Sequence, residues 1–400
     1  MHRPPPPVQF IIETLQSAGH HAYAVGGCVR DLIMGTKPHD WDIATAATPD
    51  QTLAAFKYHK TIPTSIKHGT ITLILDCVPY EITTFRTESG YQDHRRPDQV
   101  AFVQDIHLDL ARRDLTINAI AISGEGAIID PFDGQQDIEH KIIRCVGDPC
   151  LRFREDALRI LRALRFAATL GFSIERETAD AIDALAPDLA FVAKERILSE
   201  LKRLILGANA PSVLDRHRSV LPVIFPNCSF IDYPRILHAL HFAPPDLGVR
   251  FAMLMLGLSL RARDFESLRP DHKLLRRAKL LRHHFMDPLP HTAPEILNQF
   301  RELGPDIALS LVDLHKSISR ADDNQIHVRI CNDIQKKQTA LLQSNACYQI
   351  SQLEISGQDL IDQGQQGKQI GETLEALLVA VIDGKIENTK PHLLNYLRSL

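Results

Sequence analysis

The chain has 400 residues, 44% hydrophobic and 24% charged, a balance that excludes global disorder and a length that predicts two to four domains. Its 45 basic and 49 acidic residues leave a formal net charge of −4, which argues against a protein that coats nucleic acid but leaves room for a local cationic groove. No apolar run approaches the roughly 18–20 residues of a membrane span, no secretory h-region opens the chain, and seven scattered cysteines form neither a disulfide framework nor a zinc pattern, so a reducing cytoplasm is expected.

The first 140 residues alternate strand-like and helix-like patterns. AYAV (22–25) is a short apolar run ending in Gly26-Gly27, and VRDLIM (29–34) reads as a helix closed by Gly35. A strand, a Gly-Gly turn and a helix start let backbone N–H groups approach a phosphate without an intervening Cβ, and Arg30 adds a guanidinium one turn later. WDIAT (41–45) is strand-like, and i, i+2 spacing on a strand would aim Asp40 and Asp42 at one spot. Two carboxylates so placed, beside a phosphate site, suit Mg²⁺; the plainer alternative is a turn cap and a solvated acid. TITLIL (70–75) and YEITTF (80–85) flank a hairpin turn at 76–79, with Pro79 expected outside the ladder. The polar stretch 86–99 predicts a mobile loop, and IIDPFDG (128–134) a strand and a turn. A second charged cluster, Arg112-Arg113-Asp114 with Asn118, reads either as a helix start capped by Asp114 or as a nucleotide contact through Arg113 and Asn118.

Beyond residue 152 the strand signal fades, and helical spacing takes over in 155–170, 177–186, 194–206, 250–260, 273–285, 306–317, 331–344 and 371–383. On a helix from 155, about 100° per residue puts Arg159, Arg162 and Arg165 on one side, with Asp156 at its edge. Ala157, Ile160, Leu161 and Leu164 fall opposite, as a core face. With no acid but Asp156 counted at helical spacing, the arginine ridge requires either an anionic ligand or ion pairs from elsewhere in the fold.

In this order, the stretches AYAVGGCVRDLIMG, HDWDIATAATPDQ, RRDLTINAIAI, DPFDGQQDI and RFREDALRILRALRFAATLGF resemble the class II tRNA nucleotidyltransferase and poly(A) polymerase family, and most of all the bacterial CCA-adding type. KERILSELKRLIL (194–206) and residues 357–388 continue the likeness, whereas 210–345 carries little beyond helical spacing. The resemblance implies an α+β chain: a polymerase β-like head with a mixed sheet (1–140), then a helical neck that recognises the base (141–206), a helical body (207–290) and a tRNA-binding tail (291–400). It implies addition of C, C and A to the 3′ end of tRNA from CTP and ATP, without a template. Positions matching the family motifs are Gly27, Arg30, Arg113, Asp156, Arg159, Arg162 and Arg165 for nucleotide, and Asp40 and Asp42 as catalytic ligands of Mg²⁺. Glu81 is a weaker candidate for a third carboxylate.

Base selection has a chemical rationale of its own. Cytosine and adenine both present an exocyclic amine beside a ring-nitrogen acceptor, which an Asp–Arg pair complements, whereas uracil and guanine present the opposite polarity. Three rival readings follow from the same motifs: a CC-adding enzyme, distinguished chiefly by the 86–99 loop; a poly(A) polymerase; and a non-catalytic RNA-binding relative, against which the intact Asp40 and Asp42 argue.

Overall fold

The computed structural model describes residues 3–89 and 99–397, in two compact units, Met1–Asn227 and Cys228–Leu400. The first unit opens with α1 (Pro6–Ser17), which the sequence reading did not assign. Proline supplies its first turn, and Val8, Ile11, Ile12 and Leu15 recur at helical spacing to form its buried stripe. A seven-stranded mixed sheet follows, built from β1 (Ala22–Val25), β2 (Asp42–Thr45), β3 (Lys60–Ser65), β4 (Thr70–Leu75), β5 (Val78–Thr84), β8 (Ala121–Ile122) and β9 (Ile128–Ile129). Its order is β3-β4-β5-β2-β1-β8-β9, and only β2 and β5 run parallel. In that parallel register Asp42 stands beside Glu81.

Four local expectations need correction. Strand β2 begins at Asp42, so Asp40 lies in the bend before it, and strand alternation does not relate the two carboxylates. Pro79 lies inside β5, opposite Ile74. The turn there is only Asp76-Cys77, both at positive φ (48° and 65°), so the flanking Leu75–Val78 pair is the hydrogen-bonded one. The missing N–H of Pro79 then faces away from β4, toward a flank that β2 reaches only from Glu81 onward. The segment expected as a loop carries β6 (Arg86–Ser89), antiparallel to β7 (Gln99–Phe102); the rest of that loop lies outside the described residues. The fourth correction concerns the neck helix. It divides into α6 (Pro149–Glu155) and α7 (Leu158–Leu170), with Asp156 extended between them (φ −145°, ψ 102°).

The predicted core face of α7 is buried as expected, with Ala157, Ile160, Leu161 and Leu164 fully enclosed. Gly171 in the left-handed region (φ +70°) closes α7. Helix α9 (Lys194–Leu206) packs along α7. The second unit is helical throughout its described residues. Its predicted segments appear as 247–257, 272–284, 305–321, 325–343 and 368–382, and Ile296, Phe300, Val312, Ile334 and Leu377 belong to one core cluster. Among the described residues no helix is long and apolar enough to cross a membrane, and all seven cysteines are free thiols.

Candidate nucleotide and metal site

The site begins at the turn after β1. Gly26 holds φ +80° and ψ −134°, a conformation open to glycine alone, and starts α2 (Gly27–Ile33). A Cβ on Gly26 would lie 2.9 Å from Nη1 of Arg113, so the missing side chain is the space in which that guanidinium sits. Arg30, only 8% exposed, does not reach outward. It donates to Asp31 Oδ1 at 2.6 and 2.9 Å and to Asn118 Oδ1 at 2.7 Å, and lies 5.0 Å above the Phe166 ring of α7. Asn118 is correspondingly buried in a one-turn 3₁₀ helix, Thr116–Asn118, rather than set at the start of a longer helix.

Asp42 is exposed at the start of β2, yet enough protein surrounds it that desolvation leads in raising its pKa. Arg113 works against that rise, and Glu81 and Asp40 reinforce it. Three carboxylates thus interact here, and a hard divalent cation is what would relieve their repulsion. Among the described residues no group of three or more His, Cys, Asp or Glu side chains is placed to hold a metal ion by itself. An open set of hard oxygens fits a cation that keeps waters and takes phosphate oxygens as its remaining ligands.

Arg113 couples these acids to a cleft of about 250 Å³ lined by Arg112, Arg113, Asp114, Asp156, Arg159 and Arg162. Four of the predicted nucleotide residues meet there. Asp156, in the break between α6 and α7, accepts from the Leu158 N–H (3.1 Å) and from both terminal nitrogens of Arg196 on α9 (3.4 and 2.8 Å). Arg159 donates to Glu155 (2.6 Å) and to the carbonyls of Arg152 (3.3 Å) and Arg112 (3.1 Å). Arg162 donates to Asp114 at 2.7 Å. Burial would raise the Asp114 carboxyl, but Arg162, then Arg159 and the Leu115 N–H, outweigh it and hold the pKa at about 2.

Of the two readings left open for the arginine ridge, the structure supplies the ion pairs, and Asp156 is not the sole acid at helical spacing. Glu155, one turn before Arg159, was readable in the sequence; Asp114 and Glu200 arrive from other elements. Arg165 does not line the cleft. It sits 3.9 Å above the Phe166 ring and 2.7 Å from Glu200, off the hydrogen-bonding axis, and burial lowers its pKa to about 10. The sequence reading gave no role to Glu155, Arg196 or Glu200, took Arg112 only as part of a charged cluster and Asp114 only as a helix cap, yet all five shape the site.

This geometry can be set beside known proteins. Residues 22–144 match the poly A polymerase head domain, 171–229 an RNA and SrmB-binding site of polymerase A, and 308–397 tRNA nucleotidyltransferase domain 2. The CCA-adding enzyme of Geobacillus kaustophilus (strain HTA426) is 34% identical over 401 residues, covering 97% of this chain and 95% of that protein. The chain belongs to the CCA-adding enzyme family. The family's structural likeness extends over the whole length: the crystal structure of the Bacillus stearothermophilus CCA-adding enzyme in complex with CTP superposes with a TM-score of 0.77 at 31% identity, covering 99% of each chain. Identity is higher over a shorter match. The CCA-adding enzyme of Limosilactobacillus reuteri (strain DSM 20016) is 49% identical over 203 residues, a match that spans 51% of this chain and only 50% of that protein. Nucleotidyltransferases of this family generally use divalent metals, in keeping with the donor set around Asp42.

Proposed function

We propose that this protein completes the 3′ end of tRNA, adding C, C and A in turn from CTP and ATP with release of pyrophosphate, in the cytoplasm. The observation that carries this reading is the cleft itself, which joins an aspartate and an arginine with spare hydrogen-bonding capacity to a second arginine coupled to the carboxylates. A carboxylate has about four acceptor positions and a guanidinium five donors. Asp156 spends three acceptors within the protein and Arg159 three donors. One acceptor on Asp156 and two N–H groups on Arg159 remain, enough for the amine and ring nitrogen shared by cytosine and adenine.

The other residues take up positioning and charge, which is most of what phosphoryl transfer asks of a protein. Gly26 and Gly27 let the backbone approach the phosphates, Arg113 meets the triphosphate, and Arg162 lines the nucleotide site under the control of Asp114. Arg30 of the head, stacked on Phe166, fixes the neck against the head, and Arg165 stacks on the same ring from within the neck. Asp40 and Asp42, with Glu81 beside Asp42, would hold Mg²⁺, whose chemistry there is to acidify the primer 3′-hydroxyl and bind triphosphate oxygens. On this reading the chain divides into head (1–140), neck (141–206), body (207–290) and tail (291–400), the last gripping tRNA.

The test is incubation of the purified protein with Mg²⁺, a tRNA lacking its CCA, and nucleotides singly and in pairs. CTP alone extends the RNA by two residues, and CTP with ATP by three. Extension that stops at two in the mixture selects a CC-adding enzyme, long A tails select a poly(A) polymerase, and no extension refutes the reading.

A further inference from the structure

Three guanidiniums gather round one aromatic ring. Phe166, on α7 and only 7% exposed, has Arg165 at 3.9 Å, Arg30 at 5.0 Å and Arg162 at 5.7 Å from its centroid. Each lies within the roughly 6 Å at which the electron-rich face of a ring attracts a cation. Two of the three stand at different ends of the candidate site. Arg30 comes from α2, and a Cβ on Gly27 would lie 3.6 Å from its Nη2, so it stands beside the turn assigned to the phosphates. Arg162 comes from α7 and lines the cleft assigned to the base. The third, Arg165, is drawn to Glu200 at 2.7 Å and does not line the cleft.

Arg30 and Arg162 are joined a second time, through polar groups. Arg30 donates to Asn118 Oδ1 at 2.7 Å, the Asn118 amide reaches Asp114 Oδ1 at 3.5 Å, and Asp114 Oδ2 accepts from Arg162 at 2.7 Å. With Phe166 the contacts close into a ring of five residues, Arg30, Asn118, Asp114, Arg162 and Phe166. One link between the turn and the cleft would leave a hinge; two links hold their separation. A nucleotide that meets both places binds its second end as an intramolecular event, at an effective concentration set by how well that separation is held. We propose that Phe166 is a positioning residue, whose ring holds Arg30 and Arg162 at once and so fixes the spacing between the phosphate turn and the base cleft. The inference rests on the functional reading above, which supplies the nucleotide, and adds the element that keeps its two ends in register. Packing alone would ask only for an apolar side chain of similar size. Three cations around the ring ask for its electrons as well.

The test compares the full-length wild type with Phe166→Leu and with a protein carrying pentafluorophenylalanine in place of Phe166, which keeps the shape of the ring and reverses its charge distribution. Thermal melting establishes that each folds. KM for CTP is measured on a tRNA lacking CCA at fixed free Mg²⁺, beside the inhibition constants of cytidine and of inorganic tripolyphosphate, which probe the two ends separately. In both variants KM for CTP rises about tenfold, while the two inhibition constants stay within about twofold of the wild type. A change that only loosened the fold would lower the active fraction and leave KM where it was. A fluorinated protein with the wild-type KM overturns the inference, since packing then suffices, and this variant decides the matter where leucine fails to fold. Weakening of cytidine or of tripolyphosphate in step with CTP also overturns it, because the ring would then shape one end rather than the spacing. A wild-type protein that extends no tRNA overturns the functional reading, and this role with it.

Discussion

Replacing Asp156 by asparagine tests base selection at one atom. Its Oδ1 accepts from the Leu158 N–H and from Arg196, while Oδ2 accepts only the 2.8 Å bond from Arg196. The open lone pair is therefore on Oδ2, and Asp156→Asn can keep the oxygen that caps α7 while turning Oδ2 into an N–H donor, which also forfeits the 2.8 Å bond from Arg196. A hydrogen bond to a charged group contributes about 1.5–3 kcal/mol, so kcat/KM for CTP and ATP should fall about 10- to 150-fold. Uracil offers a carbonyl where cytosine offers an amine, so incorporation of UTP should hold or rise, and the CTP-to-UTP ratio should collapse by at least the same factor. The assay is single-nucleotide incorporation on a tRNA lacking CCA, with each NTP varied separately. Asp156→Ala is the companion variant. It also loses the helix cap, at a cost of about 1 kcal/mol, so its melting temperature separates lost reading from lost structure. If both variants discriminate against UTP as the wild type does, Asp156 does not read the base and the role assigned to the cleft is wrong.

Asp114, held at about 2, contributes roughly 2–3 kcal/mol at neutral pH through its depressed pKa. That stability is complete above the ordinary carboxyl pKa of about 4 and is lost as pH falls toward 2, so Asp114→Asn should destabilise the first unit at pH 7 and converge on the wild type under acid. Urea unfolding followed by the single tryptophan, Trp41, measures it, and a gap independent of pH would count against the ion pair. Asp42→Asn should abolish nucleotide transfer yet raise the melting temperature without metal, because ionising Asp42 is disfavoured by burial, Glu81 and Asp40. Gly26→Ala should cost about 1–3 kcal/mol of stability, and activity with it, since φ +80° strains any L side chain and the new Cβ would lie 2.9 Å from Arg113; an unchanged melt would mean the turn relaxes freely.

What the sequence disclosed, and what it did not, follows from the range of the interactions involved. Apolar periodicity is local, so β1, β4, α9 and the buried face of α7 were legible within a residue or two. The break at Asp156 was not. Glu-Asp-Ala-Leu-Arg has good helical spacing, and what unwinds it is Arg196, 40 residues away, which the extended aspartate meets while its side chain caps the next helix. The partners of the arginines failed for the same reason, except Glu155, which lay four residues from Arg159 and was overlooked in favour of Asp156. Asp40 and Asp42 were chosen for strand alternation. They are neighbours instead because a bend delivers Asp40 to the mouth of a strand that starts at Asp42. The residues were legible; the geometry that joins them was not.

The paired arginines bear on how such a cleft can be specific. Bare guanidiniums at this spacing would repel one another and keep their rotamers free, so a triphosphate would be attracted strongly but held in many poses. Asp114 beneath Arg162, Glu155 beside Arg159 and Asp109 against Arg113 cancel much of that charge and spend side-chain entropy during folding rather than at binding. Attraction is reduced, but the donors that remain point in fixed directions before any nucleotide arrives. An enzyme that must accept two bases and refuse two others gains more from direction than from attraction, since all four nucleotides carry the same triphosphate and only their base edges differ.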